Sequence, residues 1–161
     1  MNHKPIEEIV VKLLCDKELV ISMAESCTGG MIASQIVNVS GASKVFKQSY
    51  VTYCDEAKNK LLGVSWEVLK KYTAVSRECA EMMAYGCRKQ SGSDIAISVT
   101  GYAGPEDLPN EPKGLVFIGC CYKDSVEVRE YKFTGSRLEI RKKAVHSALS
   151  FVRDIIEKYF N

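Results

Sequence analysis

Hydrophobic residues recur along this chain with two different periods, which predict helices and strands in alternation. Helical spacing of apolar residues predicts helices over 5–15, 29–37, 57–62, 76–90 and from 136 almost to the C-terminus. Apolar runs predict strands over 19–24, 49–53 and 94–100, then a hairpin of 114–122 and 125–133. This order of elements predicts a single three-layer α/β/α domain with a mixed, largely parallel sheet.

Polar residues and a glycine mark the ends of several predicted helices. Ser65 and Ser76 stand where the N-cap of a helix is expected. Asp55 or Glu56 is expected to cap the helix that Gly63 ends.

Two predicted strands end in small polar residues and glycines. Residues 26–30 read Ser-Cys-Thr-Gly-Gly after the first strand, and residues 100–105 read Thr-Gly-Tyr-Ala-Gly-Pro after the third. Ligands of open α/β sheets bind at the carboxyl ends of the strands. We therefore expect both segments to face one pocket.

The segment after the first strand contains the candidate nucleophile, Ser26. A strand that gives way to a helix at Gly29 or Gly30 leaves unpaired backbone N–H groups beside Ser26 and Thr28. Such groups stabilise an anion or a developing oxyanion. The alternative is an ordinary strand-to-helix turn in which Thr28 is the N-cap, and this segment alone favours neither.

Length and composition are those of one compact domain over residues 1–161, with 46% hydrophobic and 26% charged residues. The net charge of +2 is small and the Lys and Arg residues are dispersed, which disfavours a nucleic-acid partner. The N-terminus lacks an apolar signal segment, and no later run approaches the roughly 18–20 apolar residues of a membrane span. These features predict a cytoplasmic protein without a membrane partner.

The seven cysteines predict reduced thiols rather than a disulfide framework, because their number is odd and they lack CxxC spacing. The two histidines, His3 and His146, form no Cys/His pair at zinc-ligand spacing, so no metal site is expected. They stand in the N-terminal tail and on the flank of the last helix, which disfavours a serine–histidine triad.

A serine nucleophile without a histidine needs another base, and a lysine whose pKa is lowered by burial can serve. Lys58 follows the end of a predicted strand and is close in sequence to the polar Tyr53. The alternative is a solvated lysine on a helix face, which is the commoner state of a lysine. The residue pattern does not single out Lys58 among the lysines.

Six segments of the chain, in order, resemble the C-terminal domain of the competence/damage-inducible protein family CinA. They are residues 25–30 (Glu-Ser-Cys-Thr-Gly-Gly), Tyr53 with 56–58, 62–64, 74–76, 100–105 and 135–141. Within the family, the chain resembles the stand-alone PncC-type nicotinamide mononucleotide deamidases. The resemblance implies hydrolysis of the carboxamide of nicotinamide mononucleotide to nicotinic acid mononucleotide and ammonia, in pyridine nucleotide salvage. It also implies a homo-oligomer that binds a small-molecule nucleotide and needs no metal or organic cofactor.

The resemblance assigns catalytic roles to three residues. Ser26 would be the acyl-forming nucleophile, and Lys58 its general base and then the proton donor to ammonia. Tyr53 would orient these groups or relay the proton. N–H groups of residues 27–30 would stabilise the oxyanion. Glu25 is expected to be a structural carboxylate that fixes Lys58 or a backbone amide.

The phosphate of the implied substrate needs hydrogen-bond donors and positive charge. The expected donors are Thr28, Thr100, the amides of Gly29, Gly30 and Gly101, and the guanidinium of Arg141 or Arg137. Alternatively, Thr100 contacts the reacting centre or is a plain turn residue, and the two arginines are solvated residues of a first helical turn. Glu106 and Asp107 place carboxylates at the lip of the pocket, where they repel phosphate.

Two other functions stay open at this level. One is a nucleotide-binding module that keeps the fold and the pocket without useful turnover, for which the acidic lip over 106–110 is the reason. The other is an amidase that uses the same nucleophile on another carboxamide or on a small ester.

Overall fold

Residues 4–161, which a computed structural model describes, form five strands and six α-helices. The strands are β1 (Ile21–Glu25), β2 (Phe46–Val51), β3 (Ile95–Gly101), β4 (Leu115–Tyr122) and β5 (Ser125–Lys132). The helices are α1 (Ile6–Asp16), α2 (Met31–Val37), α3 (Asp55–Leu62), α4 (Trp66–Tyr72), α5 (Arg77–Ser91) and α6 (Arg137–Phe160), with a 3₁₀ helix at Ala42–Lys44. His3 lies outside the described residues.

The strands form one mixed sheet in the order β2-β1-β3-β4-β5. β1 pairs in parallel with β2 and β3, and Glu25 at its end lies opposite Val51 of β2 and Val99 of β3. β4 runs antiparallel to β3, and β5 runs antiparallel to β4. The carboxyl ends of the three parallel strands therefore meet at one end of the sheet.

Alternate residues of the buried strands face two helical layers, since successive side chains of a strand point to opposite faces. Ile95 and Ile97 of β3 belong to the core that the sheet shares with α1, α2 and α6. Ala96 between them belongs to a second core with α5, against which α3 and α4 pack. The predicted three-layer α/β/α arrangement around a mixed sheet is confirmed.

Two element boundaries differ from the sequence prediction. β2 covers Phe46–Val51 instead of 49–53, because this strand at the edge of the sheet exposes polar residues at 47 and 48 and carries little apolar pattern. α2 begins at Met31 instead of Gly29, because Gly29 and Gly30 adopt φ angles of 56° and 99°, outside the helical region.

Two predicted helix caps are confirmed and a third is wrong. The hydroxyls of Ser65 and Ser76 each accept a hydrogen bond from the N–H three residues further on. The predicted cap by Asp55 or Glu56 does not form, because α3 already begins at Asp55 and follows Cys54, whose side chain makes no cap bond.

All seven cysteines are free thiols, and five of them are buried. Burial of these five is typical of cysteines that pack as small hydrophobic residues. Among residues 4–161, no helix is both long enough and apolar enough to cross a membrane.

Candidate active site

A cavity of about 380 Å³ opens beyond the carboxyl ends of the parallel strands. Both segments that the sequence predicts to face a pocket line it: Ser26 and Cys27 after β1, and residues 100–105 at the end of β3. The start of α3, the turn before α5 and Arg137 at the start of α6 also line it, as do Tyr53, Glu106 and Glu111. The predicted meeting of the two segments is confirmed for Ser26 and Cys27 of the first and for all six residues of the second.

Ser26 and Lys58 form a hydrogen-bonded pair in this cavity, held by different elements. Ser26 is the first residue after β1, and Lys58 lies in the first turn of α3. The Nζ atom of Lys58 lies 3.1 Å from Oγ of Ser26 and donates to the carbonyl oxygen of Thr52 at 2.8 Å. Lys58 is only 1% exposed, so the alternative of a solvated helix-face lysine is wrong.

Burial lowers the pKa of Lys58 from its ordinary value of 10.5, because the ammonium loses its hydration. The negative charge of Asp55 acts in the opposite direction. The thiols of Cys27 and Cys79 are also near, but burial raises their pKa values to about 11 and about 12, so they are uncharged at neutral pH. Burial therefore makes the neutral amine of Lys58, which is the form that accepts a proton, easier to reach than in a solvated lysine.

The carboxylate of Glu25 occupies the N-terminus of α2. Its Oε1 accepts the N–H of Ile32 at 2.9 Å, and its Oε2 accepts the N–H of Ala33 at 3.1 Å. Glu25 is fully buried, and these charge-assisted bonds compensate the loss of hydration. Of the two expectations for Glu25, the bond to backbone amides is the one observed, and those amides are no longer available to a phosphate.

The predicted phosphate ligands Thr28, Gly29 and Gly30 are not among the described residues that line the cavity. The alternative of Thr28 as N-cap is also wrong, because the positive φ of Gly29 continues the turn and Gly30 takes the N-cap position. Thr28 is buried, and its hydroxyl has no hydrogen-bond partner among residues 4–161.

The N–H of Cys27 follows Ser26 directly and is a candidate donor to an oxyanion formed there. The N–H of Ser26 donates to the carbonyl of Val99 at 3.0 Å, and the N–H of Gly29 donates to the carbonyl of Ser26 at 3.0 Å. Within the described part of the chain, the N–H groups of Cys27, Thr28 and Gly30 have no backbone acceptor. A free amide beside the nucleophile is the group that oxyanion stabilisation requires.

Tyr53 and Arg137 both line the cavity and bond to each other. The guanidinium of Arg137 donates to the hydroxyl of Tyr53 at 3.0 Å and to the carbonyl of Gly104. Tyr53 is 63% exposed, and in the described structure its hydroxyl bonds neither Ser26 nor Lys58. The hydroxyl of Tyr53 therefore makes no direct hydrogen bond through which it could relay a proton to Ser26 or Lys58.

Arg141 supports the segment after Ser26 from outside the cavity. Its Nε and Nη2 donate to the carbonyls of Cys27 and Thr28 at 2.9 Å and 3.1 Å. The side chain is half-buried and bonded to the protein, so the alternative of a solvated arginine is wrong. Arg141 is not among the described residues that line the cavity, where the phosphate was predicted to meet it.

Thr100 and Gly101 line the cavity at the end of β3. The hydroxyl of Thr100 donates to the carbonyl of Ala74 at 2.7 Å and so fixes the turn that forms another part of the lining. A Cβ atom at Gly101 would lie 2.8 Å from the carbonyl oxygen of Leu115, so glycine allows β3 and β4 to approach here.

Sequence reasoning missed three contributors to the site. The carbonyl of Thr52, which accepts from Lys58, leaves no sequence signal because every residue has one. Glu111 lines the cavity because backbone bonds of 3.0 Å and 3.3 Å with Leu108 fold the loop back. Asp55 had a signal, since a carboxylate three residues before Lys58 lies on the same helix face.

The chain matches the model of the CinA C-terminal domain over residues 3–156. A CinA-like protein of Kosmotoga olearia is 48% identical over 154 residues, which are 95% of this chain and 37% of that protein. A relative from Caldicellulosiruptor saccharolyticus, named among the competence-damage inducible proteins, is 48% identical over 160 residues, which are 99% of this chain and 39% of the relative. This chain thus spans about two fifths of the length of these curated relatives.

Solved structures share the fold. A CinA superfamily protein from Klebsiella pneumoniae superposes with a TM-score of 0.93 at 30% identity, covering 96% of this chain and 97% of that one. A CinA superfamily protein from Escherichia coli superposes with a TM-score of 0.90 at 32% identity, covering 93% of this chain and 88% of that one. The chain therefore belongs to the CinA C-terminal domain family.

Proposed function

We propose that this chain is an amidohydrolase that converts nicotinamide mononucleotide into nicotinic acid mononucleotide and ammonia. The observation that carries the proposal is the buried Lys58 amine, 3.1 Å from the Ser26 hydroxyl and on the wall of the cavity. A serine becomes a useful nucleophile when a neighbouring base takes its proton, and a desolvated lysine is such a base. The resemblance of the chain to the stand-alone nicotinamide mononucleotide deamidases of the family supports the choice of substrate.

In the first half of the reaction, neutral Lys58 takes the hydroxyl proton of Ser26 while Oγ bonds to the carboxamide carbon. The carbonyl π electrons move to the oxygen, which the N–H of Cys27 stabilises. The tetrahedral intermediate then collapses and the C–N bond breaks. Protonated Lys58 gives its proton to the departing nitrogen, so ammonia leaves and an ester on Ser26 remains.

In the second half, a water molecule attacks the ester carbon and Lys58 takes one of its protons. The bond between the carbon and Oγ breaks, and Lys58 returns the proton to Ser26. The new carboxylic acid gives its remaining proton to the solvent and leaves as a carboxylate, and the enzyme returns to its starting protonation state. This mechanism requires Lys58 to act first as a base and then as an acid, which a lowered pKa allows.

The test is ammonia release from nicotinamide mononucleotide by the purified chain, beside Ser26→Ala and Lys58→Met. Both variants should lose turnover by roughly 10³-fold or more, because nucleophile and base act as one unit. The exposed residues Ser40 and Lys60 supply matched controls, and Ser40→Ala and Lys60→Met should keep full activity. Free nicotinamide measures the contribution of the ribose phosphate.

A wild-type chain that releases no ammonia, or a Ser26→Ala variant that keeps its rate, would overturn the proposal. Nucleotide binding by the wild type without turnover would favour the nucleotide-binding module. An ester on Ser26, trapped by acid quenching and located by peptide mass, would separate nucleophilic catalysis from direct attack by water.

A further inference from the structure

The side chain of Glu25 spans the segment that carries Ser26. Glu25 is the last residue of β1, a strand that is buried along its whole length. Its two carboxylate oxygens accept the N–H groups of Ile32 and Ala33 at the start of α2. These bonds tie the end of the strand to the start of the helix and close residues 26–31 into a loop whose two ends are held together.

The start of α2 depends on this carboxylate. Gly30 holds the N-cap position and has no side chain with which to cap the helix. The N–H groups of Ile32 and Ala33, which a cap residue usually satisfies, donate to Glu25 instead. Loss of the carboxylate would leave both groups without their acceptor and would release the helix from the strand.

The loop between the two anchors is flexible unless it is restrained. Gly29 and Gly30 both adopt positive φ angles, and glycine has a wide choice of backbone conformations. Arg141 holds the loop at the carbonyls of Cys27 and Thr28, but these bonds fix neither of its ends. The bonds of Glu25 are therefore a separate restraint on the position of Ser26.

Lys58 is positioned by different contacts. Its Nζ atom donates to the carbonyl of Thr52, and α3 packs against α5. The N–H of Thr52 donates to the backbone carbonyl of Glu25 at 2.9 Å, a bond that a change of the Glu25 side chain leaves in place. Loosening of the loop therefore moves Ser26 while Lys58 keeps its position.

We propose that Glu25 is a positioning residue whose carboxylate holds the hydroxyl of Ser26 in line with Lys58. This inference rests on the proposed chemistry of that pair and names a group that aligns it. Glu25 acts through residues 26–31 and exchanges no proton with the substrate. Misalignment of a nucleophile slows the chemical step, whereas the binding of substrate by the rest of the cavity is retained.

The test variant is Glu25→Gln, because glutamine keeps the size of the side chain and one acceptor oxygen, while its NH₂ group cannot accept a bond. The first measurement is kcat and KM for ammonia release from nicotinamide mononucleotide. The second is the rate at which phenylmethanesulfonyl fluoride modifies Ser26, located by peptide mass. In that reaction Oγ bonds to sulfur, fluoride leaves and Lys58 takes the proton.

The matched control is Glu7→Gln, another carboxylate that bonds α2. Oε1 of Glu7 accepts from the side-chain amide of Gln35 at 2.8 Å, further along the helix and away from the loop. Urea denaturation at the assay temperature establishes which variants are folded. Rates are then compared among folded proteins, so that a loss of stability alone does not count as a loss of alignment.

Glu25→Gln should lower kcat and the sulfonylation rate by roughly 10- to 100-fold each, while KM changes by less than about threefold. Glu7→Gln should change none of these quantities. Glu25→Gln combined with Arg141→Ala should lose less than the product of the two single losses, because both side chains restrain one loop.

The two proposals fail in different ways. Ammonia release at the wild-type kcat by folded Glu25→Gln, or an equal loss in Glu7→Gln, overturns the positioning role and leaves the amidohydrolase intact. No ammonia from any chain, with sulfonylation slowed only in Glu25→Gln, overturns the hydrolysis and leaves the positioning role. If neither Glu25→Gln nor Glu25→Asp folds, Glu25 is required for folding itself and the narrower role is overturned. Absence of both reactions in the wild type overturns both proposals.

Discussion

Gly86 of α5 lies directly against the backbone carbonyl of Leu62 in α3. A Cβ atom added to Gly86 would stand 1.7 Å from that oxygen and 2.7 Å from its carbon, so no side-chain rotation could relieve the contact. Leu62 follows Lys58 by one helical turn. The approach of the two helices therefore sets the position from which α3 brings Lys58 to Ser26.

Gly86→Ala should both destabilise the protein and impair the site. The added methyl group forces α3 away from α5, and overpacking of this kind costs about 1–3 kcal/mol of the free energy of unfolding. Displacement of Lys58 should lower kcat for ammonia release by about tenfold or more, since small misplacements of catalytic groups are costly. Urea denaturation and steady-state kinetics measure the two effects.

The control for this substitution is Gln90→Ala, on the exposed part of the same helix. It should change the free energy of unfolding by no more than about 0.5 kcal/mol, as is usual for surface sites. If Gly86→Ala had the stability of the wild type, α3 and α5 could separate without strain. The contact between Gly86 and Leu62 would then not determine the position of Lys58.

Lys58→Met should change how stability depends on pH. Burial lowers the pKa of Lys58 in the folded chain, so between that pKa and the ordinary value of 10.5 the unfolded chain binds the extra proton. The free energy of unfolding of the wild type therefore rises with pH across this window, by about 1.4 kcal/mol for each unit by which the pKa is lowered. Methionine does not titrate, so the variant lacks this rise.

The measurement is urea denaturation of wild type and Lys58→Met between pH 7 and pH 10. The variant also loses the bond to the Thr52 carbonyl, but that loss does not depend on pH. The stability of the variant relative to wild type should therefore be greatest at the lower pH and should decline as pH rises. Lys60→Met, which replaces an exposed lysine of the same helix, should leave the wild-type slope unchanged.

The elements that place Ser26 were predictable because they depend on local pattern and on strand order. An apolar strand ending in small polar residues marks Ser26, and a second such strand marks Thr100. Parallel strands in one sheet bring those two ends together. The Gly-Gly pair showed that a turn follows Ser26, but the exact start of α2 depended on backbone angles that the pattern does not specify.

The burial of Lys58 and the direction of Arg141 could not be predicted in the same way. α3 is a mostly polar helix, and its sequence does not show that Lys58, rather than a neighbouring lysine, turns towards the sheet. The acceptors of Arg141 are carbonyls more than a hundred positions earlier in the chain. Long side chains follow the tertiary acceptors available to them, and these appear only once the chain is folded.

The rate of ammonia release should rise with pH and then level off. Only the neutral amine of Lys58 can take the proton of Ser26, so the rising limb of kcat/KM reports the pKa of Lys58 in the free enzyme. Its midpoint should lie below the ordinary value of 10.5, because burial lowers that pKa. A pH series of kcat/KM in buffers of constant ionic strength measures it.

Lys58→Arg tests the origin of that limb. A guanidinium stays charged throughout the accessible range, so the variant should lose roughly 10³-fold or more in kcat/KM and regain nothing up to pH 10. The exposed Lys60 supplies the control, and Lys60→Arg should reproduce the wild-type profile. An unchanged limb in Lys58→Arg would assign the titration to another group and exclude Lys58 as the base.

Arg141→Ala should lower kcat without weakening the binding of substrate. The arginine holds the carbonyls of Cys27 and Thr28, so its removal loosens the segment that carries the Cys27 amide, the proposed oxyanion donor. We expect kcat to fall by roughly 10²-fold, while KM for nicotinamide mononucleotide changes by less than about threefold. Arg141→Lys should not restore kcat, since one ammonium cannot reproduce two bonds from a planar fork. If Arg141 instead bound the phosphate, Arg141→Ala would raise KM and Arg141→Lys would partly restore it. The control is Lys142→Ala at the exposed neighbouring position, which should alter neither kcat nor KM.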